Sequence, residues 1–294
     1  MSPRHHFMSR TSVTAVTIGL GAVVLTAVLA ARAPSPLSHA AQAQGSAPAS
    51  SGADGIFELR VYTIVPDLWE GTLQFMENVN RFQDSVGMKI VGHFTDRVEN
   101  KYIWMRSYPT EAARLQLFRD VYESEVWKSG QLRPKDTKAG INGTEVYLAR
   151  PTKYSKLQYP PPPSASLGST VKPAGRSPLI FEVTLTEIKP GMMDAWVKYI
   201  GEKVIPWQEA QGVRALAQLV PYVRLQGQTN GGTQTPEANT FVSIRTYSDE
   251  ATRQRQEAML REREPAAKLG SPSDGGFVKA RVFRGAPTTY SKLQ

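Results

Sequence analysis

Residues 56 to 64, IFELRVYTI, alternate apolar with polar side chains at the two-residue period of a strand, and their content of Phe, Val, Tyr and Ile agrees. A helix is expected from about 67 to 85. Further along, Met193, Trp196, Val197, Ile200, Val204 and Trp207 recur at spacings of three and four, the stripe of an amphipathic helix. Gly87 and Gly212 follow these two segments and supply the left-handed stop that helices favour. Residues 88 to 97 and 101 to 107 read as a strand pair across Val98-Glu99-Asn100, and Thr110 or Ser248 as the cap of a following helix. A last strand is expected near 144 to 150. The later helix RQRQEAMLRERE carries only a thin apolar stripe and alternating charges, which suits a solvated face.

This order occurs twice. Ile56-Phe57-Glu58-Leu59 returns as Ile180-Phe181-Glu182-Val183, the segment 106 to 114 returns at 245 to 253, and TKYSKLQ at 152 to 158 returns as TTYSKLQ at 288 to 294. The offset grows between the first two matches, which places an insertion in the second copy at LQGQTNGGTQTPEAN, 225 to 239. The expected organisation is a signal peptide at 1–43, a disordered spacer at 44–54, one repeat at 55–158, a Pro-rich linker at 159–178 and a second repeat at 179–294.

Each repeat reads as strand, helix, strand, strand, helix, strand, the split βαβ or ferredoxin-like unit of the α+β class. Both helices of such a unit cover one face of the sheet, so the other face needs a partner, and two repeats packed sheet to sheet form a barrel within one chain. With Phe57, Leu59 and Val61 set toward the helices, alternation puts Glu58, Arg60 and Tyr62 on the barrel side. Tyr102, Trp104 and Arg106 join them there, as does His93 if Ile90, Gly92 and Phe94 face the helices. The repeated YSKLQ segments are expected to lie along sheet edges and seal the barrel.

The formal net charge of +9 changes this picture little. The first 43 residues hold Arg4, Arg10 and Arg32 without an acid, then Val13 to Ala31 without a charge, then Ala41-Gln42-Ala43, a small-x-small pattern. This is the form of a cleaved export signal, implying a periplasmic or secreted protein; the alternative is an uncleaved helix that anchors the chain to a membrane. With no cysteine in the chain, disulfides and thiolate metal sites are excluded. The motifs of a phosphate-cradling loop and a serine-hydrolase elbow are missing, and nucleic acid is not an expected partner.

The segments FELRVYTIVP (57 to 66), GMKIVGHFT (87 to 95) and YIWMRSYPTEAAR (102 to 114) resemble the NIPSNAP family of the dimeric α+β barrel superfamily. The likeness covers 55 to 150 well and 179 to 286 more loosely. It implies the ferredoxin-like unit and the face-to-face pairing. For the superfamily it implies a range of chemistry that includes cofactor-free monooxygenases, haem-degrading enzymes and isomerases. The second copy departs from the pattern where the first has Arg60, Tyr62 and Trp104, so an activity centred on those residues belongs to one half.

The candidate catalytic residues are Glu58, Arg106 and His93, and the candidate ligand-binding residues are Arg60, Tyr62, Tyr102, Trp104, Glu182 and Arg245. A register that pairs Arg60 with Trp104 sets Glu58 opposite Arg106, and likewise Glu182 opposite Arg245. Such pairs either hold the register as cross-strand ion pairs or anchor an anionic or carbonyl ligand. His93 is the only histidine after residue 43, so a multi-histidine metal site is not expected. It is either a strand histidine, an axial ligand to haem, or a general base. Two functions of different class stay open: a small-molecule-binding or interaction module without a cofactor, and an enzyme using the barrel interior as a cofactor-independent monooxygenase or with haem. Pairing of whole chains stays open as well.

Overall fold

The computed structural model of the protein describes residues 55–161, 179–222, 239–262, 276–288 and 291–293. The expected signal peptide and spacer, most of the linker and nearly all of the 225–239 insertion lie outside these residues. The first half runs β1 (Ile56–Ile64), α1 (Trp69–Ser85), β2 (Lys89–Asp96), β3 (Lys101–Tyr108), α2 (Glu111–Tyr122), a short α3 (Glu125–Lys128) and β4 (Ile141–Pro151). The second runs β5 (Ile180–Ile188), α4 (Met193–Tyr199), α5 (Ile205–Ala210), β6 (Arg214–Pro221), β7 (Thr240–Tyr247), α6 (Glu250–Glu262) and β8 (Phe277–Pro287).

Local chemistry explains the boundaries. Gly87 and Gly212 sit at φ of 89° and 80° just past their helices, where a Cβ would be strained. Thr110 caps α2 by accepting the Ala113 N–H. In the second half Asp249, and not Ser248, takes the equivalent role by accepting the Thr252 N–H at 2.7 Å. The expected helix from Met193 is interrupted by a π turn at Ile200–Val204. Pro206 lies just beyond it and has no N–H to return to the preceding turn, so the helix widens there.

The sheet order is β4-β1-β3-β2 in one half and β8-β5-β7-β6 in the other, the order of a ferredoxin-like unit. Antiparallel pairing of β2 with β8 and of β4 with β6 closes all eight strands into one barrel. Both closing pairs are short, two residue pairs between β2 and β8 and three between β4 and β6. The expected register holds in both halves, with Glu58 opposite Arg106 and Glu182 opposite Arg245.

The faces are the reverse of the expectation. Phe57, Leu59 and Val61 turn into the barrel and pack against Phe181, Val183 and Leu185 of the other half. Phe94 and Phe181 stack across the interior with ring centroids 4.3 Å apart. The mixed face carrying Glu58, Arg60, Tyr62, His93, Trp104 and Arg106 instead lies under α1 and α2. The physical reason is that α1 presents a partly polar stripe to the sheet: Thr72, Asn80 and Gln83 are buried alongside Trp69, Met76 and Val79. Those side chains can match buried charge, which the bare face of a second sheet cannot.

A bulge at Val91 completes the exchange, because Ile90 pairs with Arg106 but Gly92 pairs with Met105. Ile90 therefore stays under the helix, as expected, whereas Gly92 and Phe94 turn into the barrel. The second half has the same bulge at Leu216, between Ala215 and Ala217.

The repeated segments lie where edges would otherwise be open. Thr152 N donates to the Gln218 carbonyl at 2.9 Å, and Leu157 N to the Leu216 carbonyl at 3.0 Å. Ser155 Oγ accepts the Gln218 N–H at 3.2 Å and donates to the Leu157 carbonyl at 2.8 Å. On the opposite side Thr288 N donates to the His93 carbonyl at 3.1 Å. There Ser291 Oγ accepts the His93 N–H at 3.2 Å and donates to the Leu293 carbonyl at 2.9 Å. Leu157 and Leu293 are both buried in the barrel core.

Candidate functional site

The alternation of β1 and β3 brings Glu58 and Arg106 together, and α2 adds Arg114 above them. Glu58 is fully buried, with Oε1 accepting from Arg60 Nε and Arg106 Nη2 and Oε2 accepting from Arg114 Nη1 at 3.1 Å. Arg114 also clasps Glu111 through Nε at 2.8 Å and Nη2 at 2.9 Å. Arg106 Nη1 donates to Gln83 Oε1 at 3.3 Å and meets the Met88 sulfur at 3.0 Å. The Phe118 ring of α2 covers the group, with the Arg106 and Arg114 guanidinium carbons each 4.9 Å from its centroid.

Burial alone would raise the Glu58 carboxyl, but the charges of Arg106, Arg60 and Arg114 outweigh it and hold the pKa well below the usual carboxylate range. Glu58 is therefore an anion with both oxygens occupied. It lacks the basicity to take a proton from a substrate. Its geometry is that of a clamp tying β1, β3 and α2 together.

His93 sits one strand over, directly opposite Trp104. Its ring stacks on the indole at a centroid distance of 6.2 Å and an interplanar angle of 11°. Nδ1 lies 2.8 Å from the Tyr102 hydroxyl and 3.2 Å from Asn80 Nδ2, two donors that share its single lone pair. With Nδ1 accepting, the ring proton lies on Nε2. Burial pushes the His93 pKa down to about 3, with the Lys292 charge adding to it, so the ring is neutral at pH 7. Burial raises the Tyr102 hydroxyl well above its ordinary value, so it stays a donor.

His93 therefore does not face the barrel interior, and its placement does not suit an axial ligand or a base there. Nor do Glu58, Arg106 and His93 converge on one point. His93 stacks on Trp104, and the Arg106 guanidinium lies 4.5 Å from the same indole, so the three are joined through that ring. Arg60, Tyr62 and Tyr102 belong to the same layer: Arg60 Nη1 donates to the Tyr62 hydroxyl at 3.4 Å, and Tyr62 meets Trp104 edge-on at 6.0 Å.

Glu182 and Arg245 do not join this site. They pair at 3.3 Å on the helix side of the other sheet, where Arg284 Nε also donates to Glu182 at 3.1 Å. The barrel core separates the two layers. Positions equivalent to Arg60, Tyr62, His93 and Trp104 hold Thr184, Thr186, Gln218 and Ser243, so these four side chains have no counterpart of their own kind in the second half.

Sequence reasoning missed Gln83, Asn80 and Arg114. The signal was present in α1, where Thr72, Asn80 and Gln83 fall on the same helical stripe as Trp69 and Met76. Around Trp104 several buried polar atoms have no protein partner: His93 Nε2, Trp104 Nε1, Arg106 Nε, Gln83 Nε2, Asn80 Oδ1 and the Tyr108 hydroxyl. Four of these are N–H donors. Among the described residues no group of three or more His, Cys, Asp or Glu is placed to hold a metal ion.

No family model matches the chain, and no curated protein matches it. Solved structures do. An anthrone oxidase-like protein is 10% identical, with 81% of this chain and 93% of that one covered at a TM-score of 0.49. An uncharacterized NIPSNAP-like domain protein from Burkholderia xenovorans is 16% identical over 39% of this chain and 90% of its own, at a TM-score of 0.31. A NIPSNAP family protein of unknown function from Agrobacterium tumefaciens is 16% identical over 41% of this chain and 97% of its own, also at 0.31.

Proposed function

We propose that this protein is an exported binding module that holds a small unsaturated molecule bearing acceptor oxygens, between α1 and the first-half sheet. The observation that carries the reading is the set of buried N–H donors without protein partners around Trp104: His93 Nε2, Trp104 Nε1, Arg106 Nε and Gln83 Nε2. A buried donor left unpaired costs about 1–3 kcal/mol, and a carbonyl or carboxylate oxygen on a ligand would satisfy it. Tyr62, Tyr102 and Trp104 supply flat apolar surface for the body of the ligand. Binding fits these groups better than proton transfer does, because three arginines hold the Glu58 carboxyl well below the usual range, the His93 lone pair is occupied and Tyr102 is held protonated.

The test starts with native mass spectrometry of the purified protein, then titrates benzoate and acetophenone while following tryptophan fluorescence. Saturable binding is expected, weakened about tenfold by Trp104→Phe, which keeps a ring and removes one donor. Absence of both a co-purified mass and saturable binding would reject the reading. Conversion of either compound to a new mass would replace it with the enzyme alternative.

Export belongs to the same proposal and is supported by Arg4, Arg10, the uncharged run that follows and Ala41-Gln42-Ala43. N-terminal sequencing of the protein from periplasm or medium is expected to begin near Gln44. An intact N-terminus in the membrane fraction would favour the anchored form.

A further inference from the structure

The two halves set out buried charge on one plan and complete it differently. In the second half Arg245, Arg253 and Arg284 meet three carboxylates. Glu182 pairs with Arg245 at 3.3 Å and with Arg284 at 3.1 Å, Glu250 pairs with Arg253, and Glu257 pairs with Arg253 at 2.7 Å and with Arg284 at 2.8 Å. Cations and anions balance in that group. In the first half Arg60, Arg106 and Arg114 pair, among the described residues, with two carboxylates, Glu58 and Glu111. One positive charge is left over, and it is left in the drier place. The Arg106 and Arg114 side chains are 0% and 1% exposed, against 19% for Arg245 and 43% for Arg284.

The repeat locates the difference. Residues 106 to 114 return at 245 to 253, so the position equivalent to Glu257 is Phe118. The Phe118 ring lies against all three guanidinium groups, its centroid 5.6 Å from the Arg60 carbon and 4.9 Å from those of Arg106 and Arg114. A ring face attracts cations but has no net charge, so it does not balance them. Tyr62 and Tyr108 do not balance them either, because burial raises both hydroxyls above their ordinary value and keeps them neutral. A buried charge without its counter-charge is costly, and an added anion relieves it. Donors without a protein partner mark where that anion fits. Arg106 Nε belongs to the unbalanced group, and Gln83, whose Oε1 accepts from Arg106 Nη1, has its Nε2 unpartnered as well.

We propose that the ligand of the first-half layer is a monoanion, an unsaturated carboxylate whose charge takes the part that Glu257 plays in the second half. Its oxygens accept from Arg106 Nε and Gln83 Nε2. The proposal rests on the ligand reading above and narrows it: the layer selects the anion over a neutral carbonyl compound of similar shape. Hydrogen bonds to an ionised acceptor are roughly twice as strong as neutral ones, so the preference is expected to be about tenfold or more in Kd.

Benzoate and acetophenone are titrated into the full-length protein at neutral pH, and the ratio of their Kd values is the readout. Saturable binding of both with equal Kd would overturn the charge preference and leave the ligand reading standing. Saturable binding of neither would reject both. Two variants then move the charge. Phe118→Glu supplies the third carboxylate that the second half already carries, and is expected to bring benzoate down to the affinity of acetophenone. An undiminished preference in that variant would overturn the proposal. Glu111→Gln removes an acid that pairs with Arg114 and so enlarges the positive excess. It is expected to tighten benzoate severalfold and leave acetophenone unchanged, whereas a packing defect weakens both. Benzoate affinity that is unchanged or weaker in Glu111→Gln would overturn the proposal, and this variant decides it if Phe118→Glu does not fold.

Discussion

Glu58→Gln is expected to lower the unfolding free energy by about 3–5 kcal/mol, the range for breaking a buried ion pair by removing one partner. The direction follows from charge. Glu58 is the anion for Arg60 and Arg106 and the second anion for Arg114, and all three guanidinium groups are buried. Glutamine keeps the shape but leaves Arg60 and Arg106 without an opposite charge, and its amide N–H₂ points a donor where only donors already meet. Arg114 is spared by Glu111.

Glu182→Gln is the matched control, because it holds the same place in the second half. Its partners Arg245 and Arg284 have side chains 19% and 43% exposed, so water can replace the lost carboxylate. A loss of about 1 kcal/mol or less is expected there. Urea unfolding of both variants measures the difference. Equal losses would mean that the Glu58 cluster is solvated and is not a clamp. Glu58→Met combined with Arg60→Met and Arg106→Met is expected to recover part of the deficit, since apolar replacements remove the desolvation cost together with the attraction while Arg114 keeps Glu111.

The asymmetry between these two positions also marks the limit of what the chain reveals before it is folded. Register was legible as one alternative: setting Arg60 opposite Trp104 puts Glu58 opposite Arg106, and both halves take that register. So were the glycine stops and the edge position of YSKLQ, because each follows from backbone groups that must be satisfied. Which face carries the helices was not legible. Alternation sorts residues into two sets, but a closed barrel buries both, so hydrophobicity does not say which set meets a helix. The deciding information lay on α1, in the polar residues Thr72, Asn80 and Gln83 at helical spacing among apolar ones. The bulge at Val91 hid it further, because Ile90 and Phe94 look like members of one face until an extra residue is placed between them. The first-half candidates thus share a layer with other surroundings than expected, the space between sheet and helix, while Glu182 and Arg245 lie on the other sheet.

Acidification gives the second large effect, and it separates His93 from Glu58. In the unfolded chain histidine takes a proton near pH 6.5, whereas in the folded protein His93 stays neutral until about 3. Between these values the unfolded state binds more protons, so stability is fully present above about 6.5 and is lost as pH falls toward 3. At roughly 1.4 kcal/mol per pH unit the total from this group is on the order of 5 kcal/mol. Glu58, whose pKa is also depressed by folding, adds a second loss that begins only near the ordinary carboxylate value of 4.5. Wild-type urea midpoints are therefore expected to decline below pH 6.5 and more steeply below 4.5. His93→Gln places at this position the residue that its equivalent, position 218, already carries. That variant is expected to hold a level midpoint from pH 7 to about 5 and to fall only in the carboxylate range, whatever its stability at neutral pH. The slope is the diagnostic quantity, because a purely local packing defect shifts every midpoint equally. A wild-type profile that is flat between pH 6.5 and 5 would mean that His93 takes up its proton as readily folded as unfolded, and the buried stack on Trp104 would not describe the protein in solution.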